Sequence, residues 1–170
     1  MRYLFTAAFI IAIAGCSSPN IQVQKLQAEV DSLHAQLQHT YKPGLGEFMS
    51  GIQVHHARLW FAGQAANWPL AQFEADEIKE AIDDINEYNS DRPEVKSLPM
   101  LSAPLDSIVA AIKTQRPALF ARSYNLLTNT CNQCHTATKH EYNVICIPKT
   151  PPFSNQEFAK QPEKKGANNL

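Results

Sequence analysis

The sequence predicts an all-α protein whose main body is a four-helix bundle, and three observations carry that expectation. Between Leu45 and Cys134 apolar residues recur at steps of three and four, and none of these runs shows strand-like alternation. Helix-breaking or helix-starting residues separate the runs: Gly63, Pro69, Pro93, Pro99, Pro104 and Pro117. The last run closes on Cys131-Asn132-Gln133-Cys134-His135, two thiols and an imidazole within a little over one helical turn. The length suits one domain with one core, plus a linker.

The chain begins with one basic residue, Arg2, and an apolar run from Tyr3 to Ala14, too short to span a bilayer as a permanent helix. That run ends in Ile13-Ala14-Gly15-Cys16, which resembles the lipobox of bacterial lipoproteins. The resemblance implies that residues 1–15 are a signal peptide cut before Cys16, which then carries lipid. Ser17, standing where an aspartate would retain such a protein at the inner membrane, points to an outer-membrane anchor facing the periplasm. The alternative is an ordinary secretory signal with an incidental cysteine. Loss of residues 1–15 takes the formal charge from −1 to about −2, which gives no sign of nucleic-acid binding. No other segment reads as long and apolar enough to cross a membrane, so lipid is the expected membrane contact.

Residues 16–43 form a linker. Within it Val23, Leu26, Val30, Leu33 and Leu37 follow the three-four spacing of a coiled-coil seam among polar neighbours, and Pro43-Gly44 stops the helix. Fewer than three heptads are marginal alone. A stalk that lifts the bundle off the lipid surface, open to pairing with a second copy, and a helix that folds back on its own domain or frays as a linker are both open. His34 and His39 lie here as surface residues.

Residues 44–142 hold the bundle. The first helix runs from about Leu45 to Ala62, with Phe48, Met49, Ile52, His56, Leu59 and Trp60 on one face, and Gly63 stands where a helix commonly ends. The second starts near Asn67-Trp68-Pro69, buries Ala71, Ala75, Ile78, Ile82 and Ile85, and turns Glu74, Glu77, Glu80, Asp84 and Glu87 to solvent. Residues 88–101 read as loop. The third helix spans Ser102–Lys113, with serine as cap and Leu105, Ile108, Val109 and Ile112 inward. The fourth starts at Pro117, and its stripe of Phe120, Tyr124 and Leu127 continues into Cys131 and Cys134. Residues 143–170 form a tail, apolar to Pro148, stiff at Thr150-Pro151-Pro152-Phe153, and of disordered composition from Pro162.

Cys-x-x-Cys-His is the attachment pattern of c-type haem. Two thiols three residues apart on one turn can form thioethers to the two vinyl groups of one porphyrin, and His135 can then offer nitrogen to the iron. Export agrees with this, because such haem is attached outside the cytoplasm. The alternative is a haem-free redox Cys-x-x-Cys, or a zinc set drawn from Cys131, Cys134, His140 and Cys146. With Cys16 on lipid and two cysteines on haem, Cys146 is left over; its neighbours Val144, Ile145 and Ile147 predict a buried, inert thiol, an intermolecular disulfide being the alternative.

Four helices with the motif closing the last resemble the class II c-type cytochromes, which include cytochrome c-prime, over roughly residues 45–140. The resemblance implies Cys131 and Cys134 as thioether residues, His135 as proximal ligand and a distal residue from the first helix. That helix offers Met49, His55 and His56. Met49 and His56 are about 10.5 Å apart along the axis, so only one can lie over the iron, and His55 points elsewhere. His56 is the expected distal-side residue, because a histidine inside the bundle needs a polar partner. The chain departs from the family in its heptad segment and its long tail, which is placed to cover a haem edge. No acid–base pair, nucleophile–base pair or phosphate loop accompanies the motif, so no enzymatic chemistry is expected. The sequence reading is therefore one haem c in a lipid-anchored carrier meeting redox partner proteins; a five-coordinate gas binder is the alternative.

Overall fold

The computed structural model describes residues 21–38 and 41–162; Cys16 and its preceding signal, His39 and residues 163–170 lie outside the described residues. Among the described residues the protein is all-helical, with five α-helices and no strand. It divides into two units between Lys42 and Pro43.

The first unit contributes α1 (Ile21–Gln38). Its seam residues Val23, Leu26, Val30, Leu33 and Leu37 are 46–66% exposed, and His34 is exposed as expected.

The second unit holds α2 (Leu45–Gln64), α3 (Trp68–Tyr88), a 3-10 segment (Pro93–Leu101), α4 (Ser102–Lys113) and α5 (Pro117–Ala137). Glu47 starts α2 by accepting the Gly44 N–H at 3.0 Å, the reach-back half of a capping box. Asn67 caps α3 by accepting the Leu70 N–H, and Pro69 sits in its first turn. α2 packs chiefly on α3 and α4 on α5, while contacts of α3 with α4 and α2 with α5 close the ring. Leu59, Ile78, Ile85, Ile108, Phe120, Tyr124 and Leu127 are fully buried between them. Each such side chain withdraws enough apolar surface from water to favour folding by roughly 1.5–3 kcal/mol.

Several sequence expectations are corrected here. Gly63 lies in the last turn of α2, one residue before its end at Gln64, and a Cβ there would overlap the Phe120 ring, so this glycine serves the close approach of α5 rather than the helix cap. The helix is closed instead by Ala66 at φ 51°, with Asn67 N–H on Ala62 O at 2.9 Å and Ala66 N–H on Gly63 O at 3.1 Å, the paired bonds of a Schellman turn. Residues 93–101 are helical rather than loop, and they run directly into α4, so Ser102 is a helical residue and not a cap. Together Pro93–Lys113 is long and apolar enough by length and composition to cross a membrane, contrary to expectation. The fold uses that hydrophobicity in the core, where Leu98, Leu101, Leu105, Ile108 and Ile112 are buried.

Glu74 is the largest departure. It was expected on the solvated face of α3, yet it is fully buried beside Ala71, Ala75 and Ile78. Its position three residues after Ala71 puts it on the buried stripe, and partners from α2 make that tolerable. His55 Nδ1–H donates to Oε2 at 2.8 Å, and Arg58 Nη2 lies 2.9 Å from Oε1 as an ion pair without hydrogen-bond alignment. Burial raises the Glu74 carboxyl above its ordinary range, against the opposing pull of His55 and Arg58.

Cys146 is corrected too: it is exposed, while Ile145 and Ile147 on either side are half-buried. The tail has no regular secondary structure there, so burial of Ile145 and Ile147 does not carry over to the residue between them. Further on, Gln156 accepts from Arg58 Nε at 2.8 Å, and the Phe158 carbonyl accepts from Asn67 Nδ2 at 3.1 Å. Phe158 itself is buried against Phe61, with ring centroids 5.6 Å apart. The tail therefore runs as a strap across the second unit and is tied to α2 at its far end.

Candidate cofactor site

A cleft of about 280 Å³ opens where the first turns of α2 meet the last turns of α5. Cys131, Cys134 and His135 line it from α5, and Met49 and His56 line it from α2. Leu45, Ile52, Leu98 and Leu101 make much of its wall apolar, and Arg92, Glu94 and His140 add polar groups. Arg92 is half-exposed and paired with Glu94 at 3.0 Å. The volume lies close to the lower limit for small-molecule pockets, roughly 300 Å³. The fold thus brings six of the sequence-nominated residues to one place: Met49, His56, Cys131, Cys134, His135 and His140. His55 does not join them, because its ring is turned to Glu74.

How the chain presents His135 follows from the end of α5. Lys139 adopts a left-handed conformation at φ 63°, His140 N–H reaches back to His135 O at 2.7 Å, and Lys139 N–H bonds Thr136 O at 3.2 Å. This is a second Schellman closure, and it reverses the chain sharply. A further turn, Asn143 N–H to His140 O at 2.9 Å, brings the Asn143 carbonyl alongside His135. That carbonyl accepts from His135 Nδ1 at 2.6 Å. A carbonyl can only accept, so Nδ1 carries a proton, and of the two neutral tautomers the contact selects the one whose lone pair is on Nε2. Metal-ligating histidines are held in this way: the second nitrogen donates to a carbonyl or carboxylate, which fixes both tautomer and ring angle.

The two thiols sit in apolar surroundings. Burial pushes Cys131 up to about 11 and raises Cys134 as well. Reactive Cys-x-x-Cys pairs have lowered thiol pKa values, because the thiolate is the attacking species. Here both are stored as protonated thiols.

His56 lines the same cleft and is 3% exposed. The Thr128 hydroxyl donates to Tyr124 O at 2.9 Å, so its oxygen is left to accept from His56 Nε2 at 2.9 Å. Nδ1 is then the acceptor, and the Tyr124 hydroxyl donates into the space between Nδ1, at 3.0 Å, and the His56 carbonyl, at 2.9 Å. Burial holds His56 down at about 4, so the ring is neutral at physiological pH. Both nitrogens are committed within the protein. Met49, half-buried, brings a thioether to the same wall.

No family model, no curated protein and no solved structure matches this chain.

The site is read from its own geometry. Among the described residues no three His, Cys, Asp or Glu side chains converge as a metal cage would require. The zinc set written from the sequence includes Cys146, which is exposed on the tail. Four contributors escaped the sequence reading: Tyr124 and Thr128, which hold His56, and Asn132 and Asn143, which hold the tail and His135. For Thr128 a signal was present, a hydroxyl four residues after Tyr124 and so on the same buried face of α5. For Asn143 there was none, since any residue carries a carbonyl.

Proposed function

We propose that this chain is a c-type cytochrome. One haem c would be held through thioethers from Cys131 and Cys134, with His135 Nε2 as proximal iron ligand, in a four-helix bundle that resembles the class II cytochromes. The observation that carries this reading is the His135 Nδ1–H bond to the Asn143 carbonyl, which selects the tautomer that can offer Nε2 to a metal, beside a cleft shared with both thiols. The lining suits an amphiphilic tetrapyrrole, with an apolar wall to take the ring and polar groups to meet its carboxylates. When bound, haem would supply a reversible one-electron iron centre; the protein fixes His135, supplies the Cys131 and Cys134 sulfurs from one turn of α5 and surrounds the site with apolar side chains. The raised thiols argue against a haem-free dithiol redox protein, and exposed Cys146 argues against the zinc set.

The signal-like segment and Cys16 extend the reading to a lipid-anchored carrier at the periplasmic face of a bacterial membrane, the outer membrane by Ser17, passing electrons among redox partner proteins. α1 would serve there as a stalk, with its exposed seam available to a second copy. One observation favours a second reading of the same site. Both His56 nitrogens are bonded to Tyr124 and Thr128, which supports a site whose second ligand would be Met49 or absent rather than His56. An iron left five-coordinate would make the protein a gas binder. The test is the absorption spectrum of purified protein, oxidised and reduced, with and without carbon monoxide. A c-type spectrum that survives acid acetone is expected. A colourless product from cells competent in haem attachment would refute the proposal. Rapid carbon monoxide binding by the reduced form would move the reading to the gas binder.

A further inference from the structure

Asn132, one of the two residues between the haem-motif cysteines, makes a paired contact with the tail. Its Nδ2 donates to the Ile145 carbonyl at 2.9 Å, and its Oδ1 accepts from the Ile145 N–H at 2.8 Å. Such a pair needs a donor and an acceptor side by side in one planar group, which only an amide side chain supplies. Ile145 lies two residues beyond Asn143, whose carbonyl holds His135. Two residues of near-extended chain span roughly 6.6 Å, so a clamp on Ile145 limits how far the Asn143 carbonyl can drift. On the other side Asn143 is reached through a tight turn from His140. The carbonyl is thus held from both directions, and one of the two holds comes from inside the motif.

We propose that Asn132 is a positioning residue for His135: by gripping Ile145 with both ends of its amide it keeps the Asn143 carbonyl on His135 Nδ1 and so keeps Nε2 presented to the cleft. Its consequence for iron rests on the haem reading above, but the tautomer of His135 is a property of the chain alone. A ring held in this way is also a stronger donor, because the carbonyl draws the Nδ1 proton and leaves more electron density at Nε2. Stronger donation favours oxidised iron. The tail would therefore tune the site through Asn143 and Ile145, which line the cleft themselves.

The experiment has two arms. In full-length protein produced without haem, with histidine labelled with nitrogen-15, the ring-nitrogen shifts of His135 are read above pH 8, where an unpaired imidazole is neutral. The parent should show the Nδ1–H tautomer alone. Asn132→Leu should lower the share of that tautomer at least about twofold, as water replaces the carbonyl. Asn132→Asp keeps the bond from Ile145 N–H and loses the other, and should fall between them; it also serves if the leucine variant folds poorly. Gln133→Leu, at the exposed position next to it, should match the parent. In the haem-loaded protein the reduction potential of Asn132→Leu should move upward from the parent, with no move for Gln133→Leu. A variant whose Ile145 amide exchanges faster while His135 keeps a single tautomer would overturn the proposal, since the turn from His140 would then suffice. A colourless parent would defeat the haem reading and leave the tautomer arm to decide this one.

Discussion

Lowering the pH should remove a defined part of the stability through His56. In the folded protein burial holds this ring's pKa at about 4, against 6.5 for the free side chain. Between those values the unfolded chain binds a proton that the folded chain does not, so stability rises with pH across that window. The contribution is complete above about pH 7 and is lost as the pH falls through 6.5 toward 4. At roughly 1.4 kcal/mol per pH unit the difference between 6.5 and about 4 amounts to about 3.5 kcal/mol, of which about 3 kcal/mol is lost between pH 7 and pH 4. That is a large part of a total of about 5–15 kcal/mol for a typical domain. Glu74 works in the opposite direction, since burial raises its carboxyl and deprotonation then costs the folded state more. The comparison that isolates His56 is therefore parent against His56→Gln, by urea unfolding at intervals from pH 4 to pH 8. The two free-energy curves should converge by about 3 kcal/mol as the pH falls from 7 to 4. Parallel curves would refute the argument, and would mean that the ring is protonated in place or reached by water.

Two further substitutions test the packing that positions the site. Gly63→Ala puts a methyl group into the Phe120 ring and should cost about 1–3 kcal/mol in thermal or urea unfolding; an unchanged midpoint would show that α2 and α5 can separate freely. Lys139→Gly relieves a left-handed residue at the end of α5 and should stabilise by about 1 kcal/mol, measured the same way, with loss of stability counting against the Schellman closure behind His135.

The sequence determined much of this protein through local rules. The three-four spacing from Phe120 to Cys134 put both thiols on the buried stripe of the last helix, because side-chain direction in a helix depends only on position along it. The helix starts at Trp68 and Pro117, and the motif itself, were legible for the same reason. The tertiary structure alone decided which polar groups meet. His56 finds Thr128 from 72 positions away and Tyr124 from 68, and that pairing commits both of its nitrogens. Glu74 is buried because α2 brings Arg58 and His55 to it, whereas a carboxylate read along its own helix looks solvated. His135 acquires its tautomer from a backbone carbonyl that the tail carries back to it. A periodic pattern states which face turns inward; the state of a proton depends on the group that arrives from elsewhere in the chain, and only the assembled fold supplies that group.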